Sequence, residues 1–465
     1  MKTTLKFWGV LILIFSLASC ELDEIETTDP ESPIAADAKA VKNYNNGMIK
    51  SYSHETVLEW NEFLGEFIDE AMPQPAEAKI YAMVTLAMHD ALNNVVPIYE
   101  TYALDNLEVD ASDISKKNIQ GIADAAVSQA ARDMMAQLFP PSTTAADSLL
   151  TSTLSEIEDS DQKARGVAIG SAAATAVLEK RQQDFPFGFT AHVGGTAPGE
   201  YQSNFAPWMS ASPNPPFWPA NAVYAPNLGN LTPFGIESGD QFREEAPFAL
   251  DTEEYLEDYN EVKALGCTSC PLRTDEQTEI GAFWVENTAS SMNRLARQLI
   301  VKNGLNGWEA ARLIGLIQMS QMDAFIASFE GKAYFNFWRP ITAIRGGDAD
   351  GIEATAGDIS WTPTFTTPPT PDFPSTHAYN GGAAAAVFAS YFKSDLVDIT
   401  VSSPYYLPGV ERHLNSFSQM AHENAVSRIY IGYHFRRAVE VGKTQGLELG
   451  EYVFQNNLRE LKKLK

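Results

Sequence analysis

Basic residues, cysteines and strand-like runs are all scarce in this chain of 465 residues. Lys and Arg total 33 against 60 Asp and Glu, which gives a formal net charge of −27. An acidic surface repels phosphates, so we expect no binding to nucleic acid or to anionic lipid through the bulk surface. With 45% apolar and 11% aromatic residues, the chain can nevertheless bury a large core, which excludes an acidic disordered protein.

A hydrophobic run of the kind found in targeting segments occurs at the N-terminus. Residues 1–19 combine two lysines with an apolar stretch that is too short to span a bilayer. The stretch ends in Leu17-Ala18-Ser19-Cys20, which resembles a bacterial lipobox. We therefore expect a lipoprotein signal peptide and lipidation of Cys20, with an ordinary signal peptide as the alternative. The acidic residues 20–45 contain two prolines and suit a flexible leash.

These features predict a bacterial cell-envelope protein that is lipid-anchored at the outer membrane or the cell surface and touches the membrane only through its anchor. In an oxidising envelope, the Cys267-Thr-Ser-Cys270 spacing predicts a local disulfide. A thioredoxin-like role would need a βαβ context, and a zinc site would need two further ligands nearby.

Apolar residues recur at three- and four-residue steps along most of the chain, which is typical of amphipathic helices. The pattern covers 77–96, 115–138, 143–183, 252–264, 274–302 and 307–330. Residues 185–250 break it, since they hold ten of the 26 prolines. We predict an all-α fold with one large multi-helix bundle domain over residues 46–465 and a long, ordered Pro/Gly-rich loop excursion. A domain boundary within the excursion is the alternative.

Two cations stand in the segment Lys332-Ala-Tyr-Phe-Asn-Phe-Trp-Arg339-Pro340. Seven residues make nearly two helical turns, so Lys332 and Arg339 would share one face if the segment is helical. Pro340 disfavours helical geometry at Arg339 and is expected to mark the end of the element. Two buried cations that point the same way would need an anion.

A second segment, Pro374-Ser375-Thr376-His377, precedes a run of small residues that predicts a buried helix. The free N–H groups at a helix start bind anions. In a third segment, Arg428 and His434 are six positions apart, and Gly432 between them can supply the turn that lets two helices converge. Together the three segments offer two histidines, three cations and a hydroxyl, a set that suits a tetrahedral oxyanion.

The combination Lys-x6-Arg-Pro, Pro-Ser-x-His and Ser-Arg-x5-His resembles the vanadium-dependent haloperoxidases, which share their fold with type-2 phosphatidic acid phosphatases. The sequence from Phe337 to Arg345 looks like bacterial members in particular. The resemblance covers most of the chain from about residue 75 onward. It implies the helical bundle of that superfamily, a vanadate (V5+) cofactor that phosphate can replace, and hydrogen peroxide and halide as substrates. It also hints at a homodimer.

The resemblance implies a role for each matching residue. His434 would coordinate vanadium, and His377 would be the catalytic acid and base. The vanadate oxygens would be held by Lys332, Arg339, Arg428, the Ser375 hydroxyl and the Thr376 backbone N–H, with Lys332 also sharpening the polarisation of peroxide. Vanadium would act as a Lewis acid of constant oxidation state, and halide would be oxidised to hypohalous acid. Phe329 and Thr370 are placed near the halide pocket, and iodide is the expected halide, with bromide next.

The sequence departs from the family pattern at two positions. Relatives usually have Gly where Thr376 stands, so we expect its N–H donor to survive only if Thr adopts the required geometry. Many relatives have Asp where Ala438 stands, which leaves the partner of the second His434 nitrogen open between a backbone carbonyl and Glu440. A soluble histidine-type acid phosphatase, with His434 as the nucleophile, is the alternative function. A non-catalytic lipoprotein that binds an anion or a partner is a third.

Overall fold

The computed structural model describes residues 46–192, 194–203, 219, 221–243 and 245–461. These residues belong to one compact unit, Val41–Lys465. The predicted signal peptide and Cys20, the leash, and residues 204–218 of the excursion lie outside the described residues. Within the described part of the chain, no helix is both long enough and apolar enough to cross a membrane.

The described residues form fourteen α-helices, which confirms the all-α fold class. In chain order they are α1 (Asn46–Ile49), α2 (Glu55–Ile68), α3 (Gln74–Val95), α4 (Ile119–Leu138), α5 (Thr143–Glu156), α6 (Asp161–Lys180), α7 (Glu253–Leu265), α8 (Asp275–Phe283), α9 (Thr288–Asn303), α10 (Gly307–Phe335), α11 (Pro340–Gly346), α12 (Thr376–Phe392), α13 (Phe417–Tyr430) and α14 (Arg436–Asn456).

Two of the predicted helical segments are each divided into two helices. Segment 143–183 breaks between α5 and α6, where the Ser160 side chain accepts from the Lys163 N–H and starts α6. Segment 274–302 breaks between α8 and α9, around residues 284–287. Capping is the local cause at Ser160, since a hydroxyl that satisfies free N–H groups favours a new helix start over continuation.

The described residues also form four strands: β1 (Phe189–Ala191) pairs antiparallel with β2 (Ala222–Tyr224), and β3 (Leu396–Ser403) with β4 (Leu407–Ser416). The described parts of the Pro/Gly-rich excursion are ordered against the helices. There, the buried carboxylate of Asp323 on α10 accepts the backbone N–H groups of Phe234, Gly235 and Ile236. These three hydrogen bonds offset the cost of burying the Asp323 carboxylate, and they fix the loop on the bundle.

Helices α12 and α14 pack closely because α14 presents a row of glycines at four-residue spacing, Gly442, Gly446 and Gly450. A Cβ on any of the three would lie 2.1–2.5 Å from a carbonyl oxygen of α12 or of its N-cap residue. At the same end, the Ser375 N–H donates to the Ala438 carbonyl over 2.9 Å. The close approach sets the start of α12 beside the start of α14.

The path from Lys332 to Arg339 differs from the predicted one. Helix α10 ends at Phe335, Asn336 adopts a left-handed conformation (φ 47°), and Arg339 is extended (φ −85°, ψ 155°). Pro340 therefore begins a new helix, α11, and the expectation that it ends the helix of Lys332 is wrong. Asn tolerates the left-handed region, and proline suits the first helical position after an extended residue.

The turn predicted at Gly432 is present. Helix α13 ends at Tyr430, α14 begins at Arg436, and Gly432 between them has φ +79°. A Cβ on Gly432 would lie 2.5 Å from the Gly266 carbonyl oxygen and 2.8 Å from Cη2 of Trp361. Both the backbone angle and the lack of space require glycine here, two positions before His434.

Gly432→Ala should lower the free energy of unfolding by about 2–4 kcal/mol, because the added methyl group meets backbone and indole atoms in a strained conformation. Gly409→Ala is the matched control: Gly409 has φ +83°, but a Cβ added to it would have no neighbouring atom within 4 Å, so we expect a loss of about 1 kcal/mol. Urea unfolding measures both, and equal losses would contradict the packing argument.

Candidate active site

A cavity of about 350 Å³ lies where the end of α10, the start of α12, the end of α13 and the residues just before α14 meet. Eight residues named from the sequence line it: Phe329, Lys332, Arg339, Thr370, Thr376, His377, Arg428 and His434. Ser375 is the N-cap residue of α12 and fully buried. The three separate sequence segments thus converge on one cavity.

Lys332 and Arg339 reach the cavity from two different elements. Nζ of Lys332 donates to the carbonyls of Pro371 and Asp372 over 2.7 and 3.0 Å. Nε of Arg339 donates to the Thr370 carbonyl over 2.7 Å, and Nη2 donates to Thr370 Oγ1 over 2.9 Å. Both cations are only 2% exposed, and the segment before α12 holds both in place.

Arg428 is the third buried cation, at 3% exposure. Its Nη2 donates to the Trp284 carbonyl, and its Nε donates to Ser427 Oγ over 3.1 Å. Burial lowers the pKa of Arg428 to about 10 and also lowers the pKa of Arg339 and, far more, that of Lys332, which Arg339 depresses further. The three buried cations are therefore incompletely compensated, because buried cations keep their protons only when an anion balances their charge.

Two polar atoms at the start of α12 have no partner among the described residues: Oγ of Ser375 and Nε2 of His377. Thr376 is the first residue of α12 and is not among the residues with positive φ. Its N–H therefore belongs to the free donors of a helix start, so the Gly-to-Thr departure costs no left-handed strain. The Thr376 hydroxyl accepts from Ser328 Oγ over 3.0 Å.

His377 is buried, and its ring bonds the backbone of Trp284. Desolvation, reinforced by Arg428, lowers its pKa well below the usual value. The imidazole is consequently neutral at pH 7 in this state. A neutral ring with one unpartnered nitrogen facing the cavity can accept a proton from a molecule bound there.

The second nitrogen of His434 faces Asp372, a residue that the sequence reasoning missed. Nδ1 of His434 lies 2.9 Å from Oδ1 of Asp372, and Nε2 lies 2.9 Å from Nη1 of Arg339. The contact with Asp372 is close but not well aligned as a hydrogen bond, and the Phe435 backbone N–H also lies near this carboxylate. A proton on Nδ1 toward the carboxylate leaves Nε2 unprotonated, so its lone pair accepts from Nη1 of Arg339 and would be given to a metal in place of that hydrogen bond.

Neither of the two acceptors considered from the sequence fills this position. Glu440 pairs instead with Arg436, 3.3 Å away. Ala438 is buried, and its carbonyl holds the Ser375 N–H. Asp372 is far from His434 in the chain, so spacing gives no link between them; its one signal is a lone carboxylate in a proline-rich stretch just before Ser375. Burial raises the pKa of Asp372 to about 7, against the lowering effect of Arg339 and Lys332.

Comparisons with known proteins place these residues in a family context. A family model described as the VCPO second helical-bundle domain matches residues 312–463, a range that contains every site residue from Phe329 to His434. The vanadium chloroperoxidase of Curvularia inaequalis is 24% identical, with 85% of this chain and 79% of that protein covered. Over most of its length the chain is similar to vanadium haloperoxidases.

Solved structures of bacterial haloperoxidases have the same fold. The first bacterial vanadium-dependent iodoperoxidase superposes with a TM-score of 0.69 at 22% identity, over 91% of this chain and 100% of that one. A holo-type bacterial vanadium-dependent chloroperoxidase gives a TM-score of 0.64 at 17% identity, over 91% and 98%. This agreement confirms the predicted haloperoxidase-type bundle.

The cysteine pair lies on the far side of the His434 turn. Cys267 and Cys270 form a disulfide, and Arg273 nearby donates to the carbonyls of Cys267 and Tyr430 over 2.8 and 2.7 Å. The Gly266 carbonyl oxygen also packs against Gly432. The disulfide loop therefore supports the turn from outside the cavity.

Proposed function

We propose that the chain is a vanadate-dependent haloperoxidase, in which hydrogen peroxide, halide and a proton give hypohalous acid and water. One observation carries the proposal: three buried cations and two neutral histidines face one cavity, and the Asp372 carboxyl lies beside Arg339 and His434. This donor set fits a tetrahedral oxyanion with a metal centre, because the cations compensate its oxygens and a histidine nitrogen can bond its centre.

Each residue has a role in holding vanadate. Nε2 of His434 would be the metal ligand, and Lys332, Arg339 and Arg428 would compensate the oxygens. The unpartnered Ser375 hydroxyl and the N–H of Thr376 would donate to the same oxygens. Bound vanadate supplies a Lewis acid that activates hydrogen peroxide toward halide. Nε2 of His377 would take up the peroxide proton and return it to the departing oxygen.

We propose iodide as the preferred halide, with bromide second. Iodide is the easiest of the halides to oxidise, and the solved iodoperoxidase has the same fold. Phe329 and Thr370, which are 7% and 6% exposed, line the cavity together with Phe325. An apolar wall of this kind suits a large, weakly hydrated anion.

A histidine-type phosphatase is the second candidate, because the same cations and donors would hold phosphate. His434 would then attack phosphorus through Nε2, and His377 would protonate the leaving alcohol. The family comparisons favour the haloperoxidase.

The deciding experiment uses residues 21–465, loaded with orthovanadate. Oxidation of iodide, bromide and chloride by hydrogen peroxide is assayed beside hydrolysis of a phosphomonoester. We expect vanadate-dependent halide oxidation in the order iodide, bromide, chloride. Phosphatase turnover without vanadate, in the absence of halide oxidation, would overturn the proposal.

Two variants test the roles of the two histidines in the same experiment. His434→Ala should abolish vanadate retention on gel filtration, and intact retention would contradict the ligand role. His377→Ala should retain vanadate and lose about 10²–10⁴-fold in turnover, as expected when a positioned acid–base group is removed. Unchanged turnover would exclude that role.

Asp372→Asn should change the affinities for vanadate and phosphate in different ways. Loss of the carboxylate that orients His434 should weaken orthovanadate binding by about 10- to 100-fold. Phosphate, which makes no bond to the imidazole, should bind equally or more tightly, because a negative charge is removed. Titration calorimetry measures both, and Glu440→Gln is the control that should change neither. An unaltered vanadate affinity would contradict the role of Asp372.

We further propose that the mature chain is lipid-anchored through Cys20 in the bacterial cell envelope and forms a homodimer. Metabolic labelling with a fatty acid should mark the wild-type chain and leave Cys20→Ser unlabelled, with the variant in the soluble fraction. Labelling that persists in Cys20→Ser would exclude this anchor.

A further inference from the structure

The cavity has a charged rim as well as a charged floor. Lys332, Arg339, Arg428, His377 and His434 are at most 6% exposed and form the floor. Residues 70–74 and Tyr406 also line the cavity but are partly or fully exposed, so they form the rim. Glu70 is the carboxylate on this rim among the described lining residues.

The Glu70 side chain is fixed in place. Its Oε1 accepts the Asn287 backbone N–H over 2.5 Å, and its Oε2 accepts the Tyr406 hydroxyl over 3.3 Å. The Glu70 N–H donates to Glu77 Oε2 over 3.0 Å, although Glu70 has φ +55°. Glycine would adopt that backbone angle without strain, so three hydrogen bonds hold a strained glutamate at the rim.

Further charged and titratable groups surround Glu70 from every element that packs against it. Asp69 precedes it, Glu77 lies on α3, Glu286 precedes α9, Arg294 lies on α9, and Tyr405 and Tyr406 lie between β3 and β4. Arg294 is shared, since it pairs with both Glu286 and Asp69. Arg297 also acts on Asp69. The four carboxyl groups outnumber the two arginines, so the rim becomes negative when they ionise.

We propose that Glu70 controls admission of anions to the cavity: its neutral carboxyl admits halide and oxyanion, and its carboxylate opposes them. The effect of Glu70 on halide entry rests on the haloperoxidase function proposed above. Its effect on the entry of vanadate or phosphate requires only that the cations of the floor attract an oxyanion. Glu70 lies on the rim, and within the described part of the chain it has no hydrogen bond to a residue assigned to the vanadate oxygens. It therefore affects the rate at which anions enter the cavity and not the rate of the chemical step.

The direction of the pH effect follows from the environment of Glu70. Burial raises its pKa to about 7, and Asp69 adds to the shift, against hydrogen bonds from Asn287 and Tyr406. Below pH 7 the carboxyl is neutral, and above pH 7 it is charged. Anion association should therefore slow as the pH rises through 7, by an amount set by one unit charge across the cavity, about three- to tenfold at low salt.

The test compares Glu70→Gln with the wild type at pH 6 and pH 8.5. The glutamine amide oxygen can still accept the Asn287 N–H, so the fold should persist, and thermal unfolding checks this. Orthovanadate association is followed by stopped flow, and kcat/KM for iodide is measured on the loaded enzyme. The variant-to-wild-type ratio of either rate should be close to 1 at pH 6 and about three- to tenfold at pH 8.5. Taking the ratio cancels the titration of vanadate and of His377.

Two controls separate the rim charge from other effects. Glu66→Gln removes an exposed charge from the preceding helix and should give a ratio near 1 at both values of pH. Glu70→Asp keeps the charge and should retain the wild-type slowing at pH 8.5. Equal ratios at both values of pH, or an equal effect of Glu66→Gln, would overturn the proposal. If the loaded enzyme oxidises no halide, the haloperoxidase proposal fails, and the vanadate association rates still decide the role of Glu70.

Discussion

The site depends on burying three cations around one carboxyl. Lys332, Arg339 and Arg428 are almost fully desolvated, and Asp372 lies within 3.9 Å of Arg339 and 2.9 Å of His434. Burial of a charge costs several kcal/mol unless a partner compensates it. The remaining positive charge favours a multiply charged oxyanion over a metal cation or a neutral ligand.

The backbone makes this arrangement sterically feasible at three places. The glycine row on α14 brings α12 within backbone contact, Gly432 turns the chain between Arg428 and His434, and Asn336 ends α10 so that Arg339 returns toward Lys332. Each feature is local, but each directs a polar or charged side chain to the same cavity. Because none of them touches the oxyanion position, their effect on function is through geometry.

The charge of −27 is unevenly distributed around the cavity. Carboxyl groups gather at its rim, around Glu70, and fixed cations form its floor. Burial raises the pKa of both Glu70 and Glu286 to about 7, so the rim changes its charge within the physiological range. An acidic protein can thereby hold an anionic cofactor and still restrict the access of anions.

The sequence by itself determined the helical class, the start of α12, the turn at Gly432 and the chemical set of Lys332, Arg339, Ser375, His377, Arg428 and His434, because these depend on short-range preferences and on motif spacing. It misplaced the end of α10 and left the partner of His434 open. Only the tertiary structure decided that Asp372 faces His434 and that Glu70 faces the same cavity from the rim. These residues are far apart in the chain, and only the packing of the helices and loops around the cavity brings them together, which no local pattern encodes.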